Sequence, residues 1–378
     1  MSNPAECGRR RNPQFPSTAK KKGAEIRSHT FEIDRKDAGW RPCAAVTPSI
    51  TQKDIASRLG VSVTLVSRVL GGKAGEIGAA AATVASIRRT AADLGYVPNA
   101  TARILRGVSS RTLGVVVYDF EDPFLGALIG ALQRLAHRED HTLVLAGLDQ
   151  RREDPDALRP LAKHGISGLI VVGSGGREEW LQAFLARGLP VARIGTSPGA
   201  THATVAVDSA SGIAALLGHL GSRGIRRVGF VADALSAHRE RLRVFAEQAG
   251  ALGCEARPEW QMARSEPAAG AGLQATRELL RRGGERPQAL LAAGDAIAIG
   301  VLRALQEVGL AVPGAMAVTG FDDLPLAEAL TPALTTIRQP VAELARTAFA
   351  WVTGAGPVAA GAAPQVLLPG ELVVRESA

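Results

Sequence analysis

Short, uninterrupted apolar runs separated by helix-length stretches constrain this chain more than any other feature. The runs are Leu113–Tyr118, Leu143–Ala146, Leu169–Val172, Val191–Ile194, Val205–Val207, Val228–Val231, Leu290–Ala293 and Met316–Thr319, mostly Val, Ile, Leu and Ala. A strand with one wet face alternates apolar and polar residues, whereas a strand covered on both faces is apolar throughout. Room for a helix lies between most runs, as at Leu125–Arg138 and Ala298–Val308. That alternation predicts parallel sheets clothed by helices on both sides. About eight to ten such units exceed one comfortable sheet, so the expected fold is α/β with two lobes. Gly354–Pro364 reads as a flexible loop and Val366–Arg375 as a returning strand.

Ahead of this body lies a different pattern. Residues 1–111 hold 19 Lys and Arg against 8 Asp and Glu, and the remaining 267 residues hold 25 against 28. All of the positive excess therefore sits in the first third, as expected of a nucleic-acid-binding head on a near-neutral body. Residues 1–48 carry Arg9-Arg10-Arg11 and Lys20-Lys21-Lys22 without periodicity, and read as a disordered basic extension. From Ser49 the chain reads SITQKDIASRLGVSVTLVSRVL. Thr51 with Asp54 three residues on is a capping-box-like helix start. Ile55, Ala56 and Leu59 form one apolar face, Gly60 suits a left-handed turn, and Ser62 caps a second helix over Val63–Leu70. Val61, Val66 and Val69 would pack that helix on the first. Its outer face then carries Val63, Thr64, Ser67 and Arg68. An arginine there suits a guanine edge, and Val63 or the Thr64 methyl suits a thymine methyl. Thr51, Ser62, Ser67 and the helix N-terminus suit phosphates. A plain αα-hairpin would share the spacing, but the local charge favours a helix-turn-helix.

Three widely spaced cysteines (Cys7, Cys43, Cys254) give neither a disulfide framework nor a zinc site. No apolar run reaches the roughly 18 residues of a membrane span. A reduced cytoplasm, no membrane and no cofactor are expected. Gly173-Ser174-Gly175-Gly176 follows a strand, yet the sixth position of a dinucleotide fingerprint holds Glu178 instead of Gly. No H-E-x-x-H occurs, so an enzyme is disfavoured.

TQKDIASRLGVSVTLVSRVLGG, the block Leu94-Gly95-Tyr96-Val97-Pro98-Asn99 and Ala102-Arg103-Ile104-Leu105 resemble the opening of the LacI/GalR family. Further matches run collinearly to the C-terminus: Asp122-Pro123-Phe124, Val207-Asp208, Arg241-Leu242, Gly320-Phe321-Asp322-Asp323 and Leu372-Val373-Val374-Arg375-Glu376-Ser377. The resemblance implies a three-helix, lambda-repressor-like helix-turn-helix head over 49–98. A hinge helix and linker over 99–111 would follow, then a two-lobed, type I periplasmic-binding-protein-like core over 112–378. The N-lobe is expected at about 112–207 plus 338–354, and the C-lobe at about 208–337 plus 364–378. Lobe crossings are expected near Val207–Ser209, near Thr336–Pro340 and in the 354–364 loop. Asn99 would contact DNA, and Leu105 sits where the family wedges a leucine into the minor groove. Arg241 and Asp322 would hold a small-molecule effector, most commonly a sugar, with Phe124 against it. The partners implied are operator DNA, that effector and a second copy of the chain, with a tetramer left open.

Two departures stand out. Gly294 occupies a position where the family usually has Asn or Ser, so one ligand contact is expected to be lost or shifted, with Asp295 beside it as a helix cap. Gly71–Ala82 is longer than usual and holds Ala79–Ala82, where a polar cap for the third helix is customary. That loop keeps open a second reading, a cytoplasmic small-molecule-binding protein of the same fold with weakened DNA binding.

Overall fold

A computed structural model describes residues 50–71, 74–96, 110–148, 155–173, 179–197, 201–266, 268–355 and 363–378. The expected basic extension, Asn99 and Leu105 of the hinge, the Ser174–Glu178 segment and most of the 354–364 loop lie outside these residues. The chain divides into two compact units, one ending at Pro98 and one beginning at Asn99.

The first unit contains α1 (Gln52–Leu59), α2 (Val63–Leu70) and α3 (Ala81–Asp93). Asp54 accepts hydrogen bonds from both the backbone N–H and the hydroxyl of Thr51, each 2.7 Å. Gly60 ends α1 at φ +64, in the left-handed region. Ser62 then accepts from the Leu65 N–H at 3.1 Å and starts α2. Ile55, Ala56, Val66, Val69, Ile87 and Ala91 make the buried core. Full burial of side chains such as Ile55, Val66 and Ile87 stabilises by roughly 1.5–3 kcal/mol each. Between α2 and α3 the long loop forms a 3-10 turn, Gly75–Ile77. Ala80 stands at the N-cap of α3 with no side-chain acceptor, so among the described residues the first N–H groups of that helix lack the usual polar cap.

The second unit is α/β. Its N-lobe contains β1 (Thr112–Val117), α4 (Pro123–Arg138), β2 (Thr142–Gly147), α5 (Arg159–Lys163), β3 (Gly168–Val172), α6 (Glu179–Leu185), β4 (Val191–Ile194) and β5 (Ala203–Val207). Its C-lobe contains α7 (Ser209–Ser222), β6 (Val228–Ala232), α8 (Ser236–Gln248), β7 (Gln261–Ala263), α9 (Ala268–Arg282), β8 (Ala289–Ala292), α10 (Asp295–Glu307), β9 (Ala317–Thr319) and α11 (Pro325–Ala329). The chain ends with β10 (Thr336–Arg338), α12 (Val341–Thr353), β11 (Gln365–Leu368) and β12 (Glu371–Val373). The sheets run β11-β5-β4-β3-β1-β2 and β7-β6-β8-β9, all parallel, with β10 and β12 as an antiparallel pair. Every apolar run predicted from sequence is a strand, with ends differing by a residue or two. Strands β1, β3, β6 and β8 are almost wholly buried, which accounts for their continuous apolar composition.

The expected lobe boundary at the C-terminus is corrected. The sequence reads Val366–Arg375 as one strand within the C-lobe, but β11 pairs parallel with β5 in the N-lobe sheet; α12 packs into the N-lobe core, as expected, through Leu344, Ala345, Ala348, Phe349 and Val352. The run breaks at Pro369-Gly370, where proline has no N–H for the ladder. The third crossing is therefore at Pro369–Gly370, after the 354–364 loop. A Cβ at Gly370 would stand 2.4 Å from Ile337 Cγ2 and 3.6 Å from Val207 Cγ2. All three crossings thus meet at one residue that has no room for a side chain.

In the C-lobe, α9 and α10 touch backbone to backbone. A Cβ on Gly272 would come within 2.0 Å of the Ile297 carbonyl oxygen, and one on Gly300 within 2.0 Å of the Ala269 carbonyl oxygen. Only glycine permits this approach, which sets the spacing of the two helix N-termini.

Candidate functional site

On the head, Val63, Thr64 and Arg68 are exposed and Ser67 half-buried, along one face of α2. The DNA-reading residues expected from sequence are therefore presented together. Val63 keeps 41% of its surface accessible despite its apolar side chain, as a methyl-reading position requires. Ser62 spends an oxygen lone pair on the α2 cap, which leaves its hydroxyl able to donate elsewhere. Thr51 stands at the N-cap of α1 and pairs with Asp54, as expected. Its hydroxyl donates to Asp54, and this bond, with that of the Thr51 N–H, holds the Asp54 carboxyl below its ordinary range. Thr51 can serve a phosphate only by giving up that bond.

The second site lies where parallel α/β sheets place ligands, beyond the carboxyl ends of the strands. From the N-lobe come Tyr118, Asp119 and Asp122 after β1, Gly173 after β3, and Gly195 and Thr196 after β4. The C-lobe supplies Leu235, His238 and Arg241 after β6, and Asp322 after β9. Together they line a cleft with about 790 Å³ of empty volume, part of it open to solvent. Phe124, on the first turn of α4, lines the cleft and also packs on the N-lobe core.

Arg241 and Asp322 are brought together as expected. Arg241, 5% exposed, donates to the Ala293 carbonyl at 2.5 Å and lies 3.7 Å from the Asp322 carboxylate. Its guanidinium carbon is 3.8 Å from the centroid of the Phe321 ring, a cation–π contact. Burial draws its pKa down, while Asp322, Asp122, Asp295 and Asp233 act to keep it charged. Its buried Nε has no partner among the described residues. Asp322 sits at φ +139, which a residue with a side chain rarely adopts. The flanks hold it there: its N–H donates to Ile337, and neighbouring Asp323 pairs with Arg375 and Arg338. Asp322 Oδ1 accepts from Gln339 Nε2 at 2.6 Å. Burial pushes its carboxyl well above the usual range against the pull of Arg241, and the nearby Asp295 and Asp122 add to the rise.

Asp295 is neither a helix cap nor a cleft contact. Gly294 holds the N-cap position of α10, and Asp295 points into the C-lobe instead. Its carboxylate accepts from the Thr336 hydroxyl at 2.6 Å and the Leu324 N–H at 2.7 Å, while its own N–H donates to the Phe321 carbonyl. Gly320 leaves space for it, since a Cβ there would be 2.1 Å from Asp295 Oδ1. Asp295 therefore braces the segment that carries Asp322.

Three cleft residues were not singled out from sequence. Asp122 caps α4 by accepting from the Phe124 N–H at 2.9 Å, and burial raises its carboxyl. His238, 8% exposed, places Nδ1 2.7 Å from Asp233 Oδ1. Asp233 also accepts from the N–H groups of Leu235 and Ala268. Burial works to raise the Asp233 carboxyl, but His238 and these N–H groups outweigh it and hold the value below the ordinary range. A polar residue directly after a wholly apolar strand was the available signal for Asp233. No cluster among the described residues has the groups to hold a metal ion.

Comparison with known proteins decides the family. Residues 217–378 match the family described as a periplasmic binding protein-like domain. Over 307 residues the chain is 33% identical to the HTH-type transcriptional regulator GalR of Salmonella typhimurium, covering 79% of this chain and 87% of that protein. The chain belongs to the LacI/GalR family. It is a transcriptional regulator, as are its relatives, and not an enzyme. The HTH-type transcriptional repressor PurR of Vibrio cholerae is 28% identical, over 79% of this chain and 89% of that one. Among solved structures, a lac repressor dimer bound to operator and the anti-inducer ONPF aligns with TM-score 0.75 at 24% identity, over 87% of this chain and 99% of that one. The transcriptional regulator CelR in complex with cellobiose aligns with TM-score 0.63 at 27% identity, over 87% of this chain and 100% of that one. No helix among the described residues is long and apolar enough to cross a membrane.

Proposed function

We propose that this regulator is a cytoplasmic, homodimeric repressor whose affinity for a pseudo-palindromic operator is set by a hydroxyl-rich small molecule, of the sugar class, bound between the lobes. The observation that carries the reading is the convergence of Arg241, Asp322 and Phe124 at the carboxyl ends of two sheets. A buried, oriented Arg–Asp pair beside an aromatic ring offers donors, acceptors and an apolar face to a polyhydroxylated ring. On the head, Val63, Thr64, Ser67 and Arg68 read bases and backbone in the major groove. Asn99 and Leu105 act at the hinge, with Leu105 as the minor-groove wedge. Effector binding changes the angle between the lobes, and the spacing of the paired N-lobes decides whether both hinges engage.

Asp322→Ala tests the cleft. The variant should retain operator binding in an electrophoretic assay and lose its response to the effector. An intact response would show that the cleft is not where the effector acts. The uncapped start of α3 at Ala80 favours a second reading, in which DNA binding is weakened. Operator affinity no better than that for random duplex would support it.

A further inference from the structure

Asp122 and Asp322 line the same cleft from opposite lobes, one just before α4 and the other after β9. The acidic groups around them outnumber the basic ones. Asp119 and Glu121 share the loop of Asp122, Asp233 follows β6, Glu240 lies on α8 and Asp295 begins α10. Three of these are served locally. Asp233 has His238 and the N–H groups of Leu235 and Ala268. Glu240 has Arg243, and Asp295 has the Thr336 hydroxyl and the Leu324 N–H. Asp323, next to Asp322, is held by Arg375 and Arg338. Among the described residues Arg241 is then the cation left for Asp122 and Asp322 together.

The two oxygens of Asp322 are unequally supplied. Oδ1 accepts from Gln339 Nε2 at 2.6 Å and lies 3.7 Å from Arg241 Nη1. Oδ2 has no hydrogen bond to a described residue. The place from which a donor would reach it is Gly294, where a Cβ would stand 3.1 Å from Oδ2 and 3.3 Å from His238 Nε2. The Asn or Ser usual at this position in the family would bring an N–H or O–H there, and glycine brings neither. A proton on Oδ2 answers the same need from within, because a protonated carboxyl is itself a donor. Asp122 shows the same shortage: Oδ1 accepts from the Phe124 N–H, and no described residue donates to Oδ2. Burial raises both carboxyls, and the Asp122 charge adds to the rise of Asp322. Parting of the lobes separates the two groups and returns them to water, which favours their ionised forms. A carboxyl that holds its proton more tightly in the closed cleft stabilises that state at low pH, and the contribution is lost as the pH rises through its raised value.

We propose that closure of the lobes takes up a proton at the Asp122–Asp322 pair, so that acidity and effector act on one hinge motion. The consequence for DNA rests on reading the lobe angle as what sets operator affinity; the proton-linked closure does not.

Small-angle scattering of the effector-free full chain, with forward scattering confirming an unchanged mass, should give a smaller radius of gyration at about pH 5 than at about pH 8. Affinity for an operator selected from random duplexes should change about tenfold over the same interval. The head over 49–98 has no histidine, so its own contacts bring no titration there. Asp122→Asn keeps the cap of α4, since asparagine caps as well as aspartate, and should flatten both pH profiles. Gly294→Ser, a good N-cap that adds a donor beside Oδ2, should flatten them in part. His238→Gln should leave them in place. An unchanged radius, a wild-type profile in Asp122→Asn, or a profile lost with His238 would overturn the proposal. A shape change with pH but constant operator affinity would uphold the proton-linked closure and overturn the lobe angle as the regulatory signal.

Discussion

An alanine at Gly300 would place its Cβ 2.0 Å from the Ala269 carbonyl oxygen and 2.7 Å from the Leu273 nitrogen. Both are backbone atoms of α9, so no side chain can swing aside and the two helices must part. Overpacking of a core typically costs about 1–3 kcal/mol, and a backbone clash belongs at the upper end. Against this, alanine gains about 1 kcal/mol of helix propensity over glycine. The net expectation is a loss of about 2 kcal/mol. At about 2–4 °C per kcal/mol for a domain of this order of size, the melting temperature should fall by about 4–8 °C. Gly218, exposed on α7, provides the control, because a Cβ there meets nothing within 4 Å. Gly218→Ala should stabilise by about 1 kcal/mol through propensity and chain entropy alone. Urea unfolding followed by circular dichroism reads both variants, and an unchanged m-value would show that the denatured state is unaltered. Stabilisation of the Gly300→Ala protein would refute the argument that backbone contact, rather than helix propensity, governs this position.

Other outcomes follow from the same geometry. Asp295→Ala should destabilise by about 2–4 kcal/mol, since it strands the Leu324 N–H and the Thr336 hydroxyl; Asp295→Asn should cost clearly less, and equal losses would deny Asp295 its bracing role. Arg68→Ala should relax preference at one base pair of each operator half-site by about 1–3 kcal/mol, and an unchanged preference in a selection from random duplexes would remove Arg68 from readout. Acid unfolding separates two carboxyls of opposite behaviour. The lowered pKa of Asp233 contributes stability that is present above its unfolded value of about 3.8 and is lost as the pH falls through its folded value. The raised pKa of Asp322 favours the folded state at low pH, a contribution lost as the pH rises through its folded value. Asp233→Asn should therefore flatten the fall in stability below about pH 4; an unaltered acid limb would show that Asp233 does not supply it.

Burial on both faces made the strands legible, because it writes itself as unbroken Val, Ile and Leu. The three-residue β7 and β10 left no such trace. The α1–α2 turn was legible from Thr51, Gly60 and Ser62, whose chemistry is local. The competition between Asp54 and a phosphate for the Thr51 hydroxyl was not, because it depends on rotamers. Arg241 and Asp322 were found through family resemblance; nothing in their own neighbourhoods marks them. His238 reads in sequence as any scattered histidine, and only the fold sets it beside Asp233 and against Gly294. Asp295 stands at the start of a helix, as a cap would, and its true partners lie 29 and 41 residues away. The division of β11 from β12 was written in Pro369-Gly370 but masked by apolar residues on either side.

Gly370 touches both of the other chain crossings between the lobes. Three covalent links packed on a single residue behave as one bearing, so the lobes share an axis of rotation and do not slide independently. The ease of turning on that axis is then a property separate from what the cleft binds and what the head reads. A substitution at position 370 would wedge the bearing and bias one lobe angle over the others.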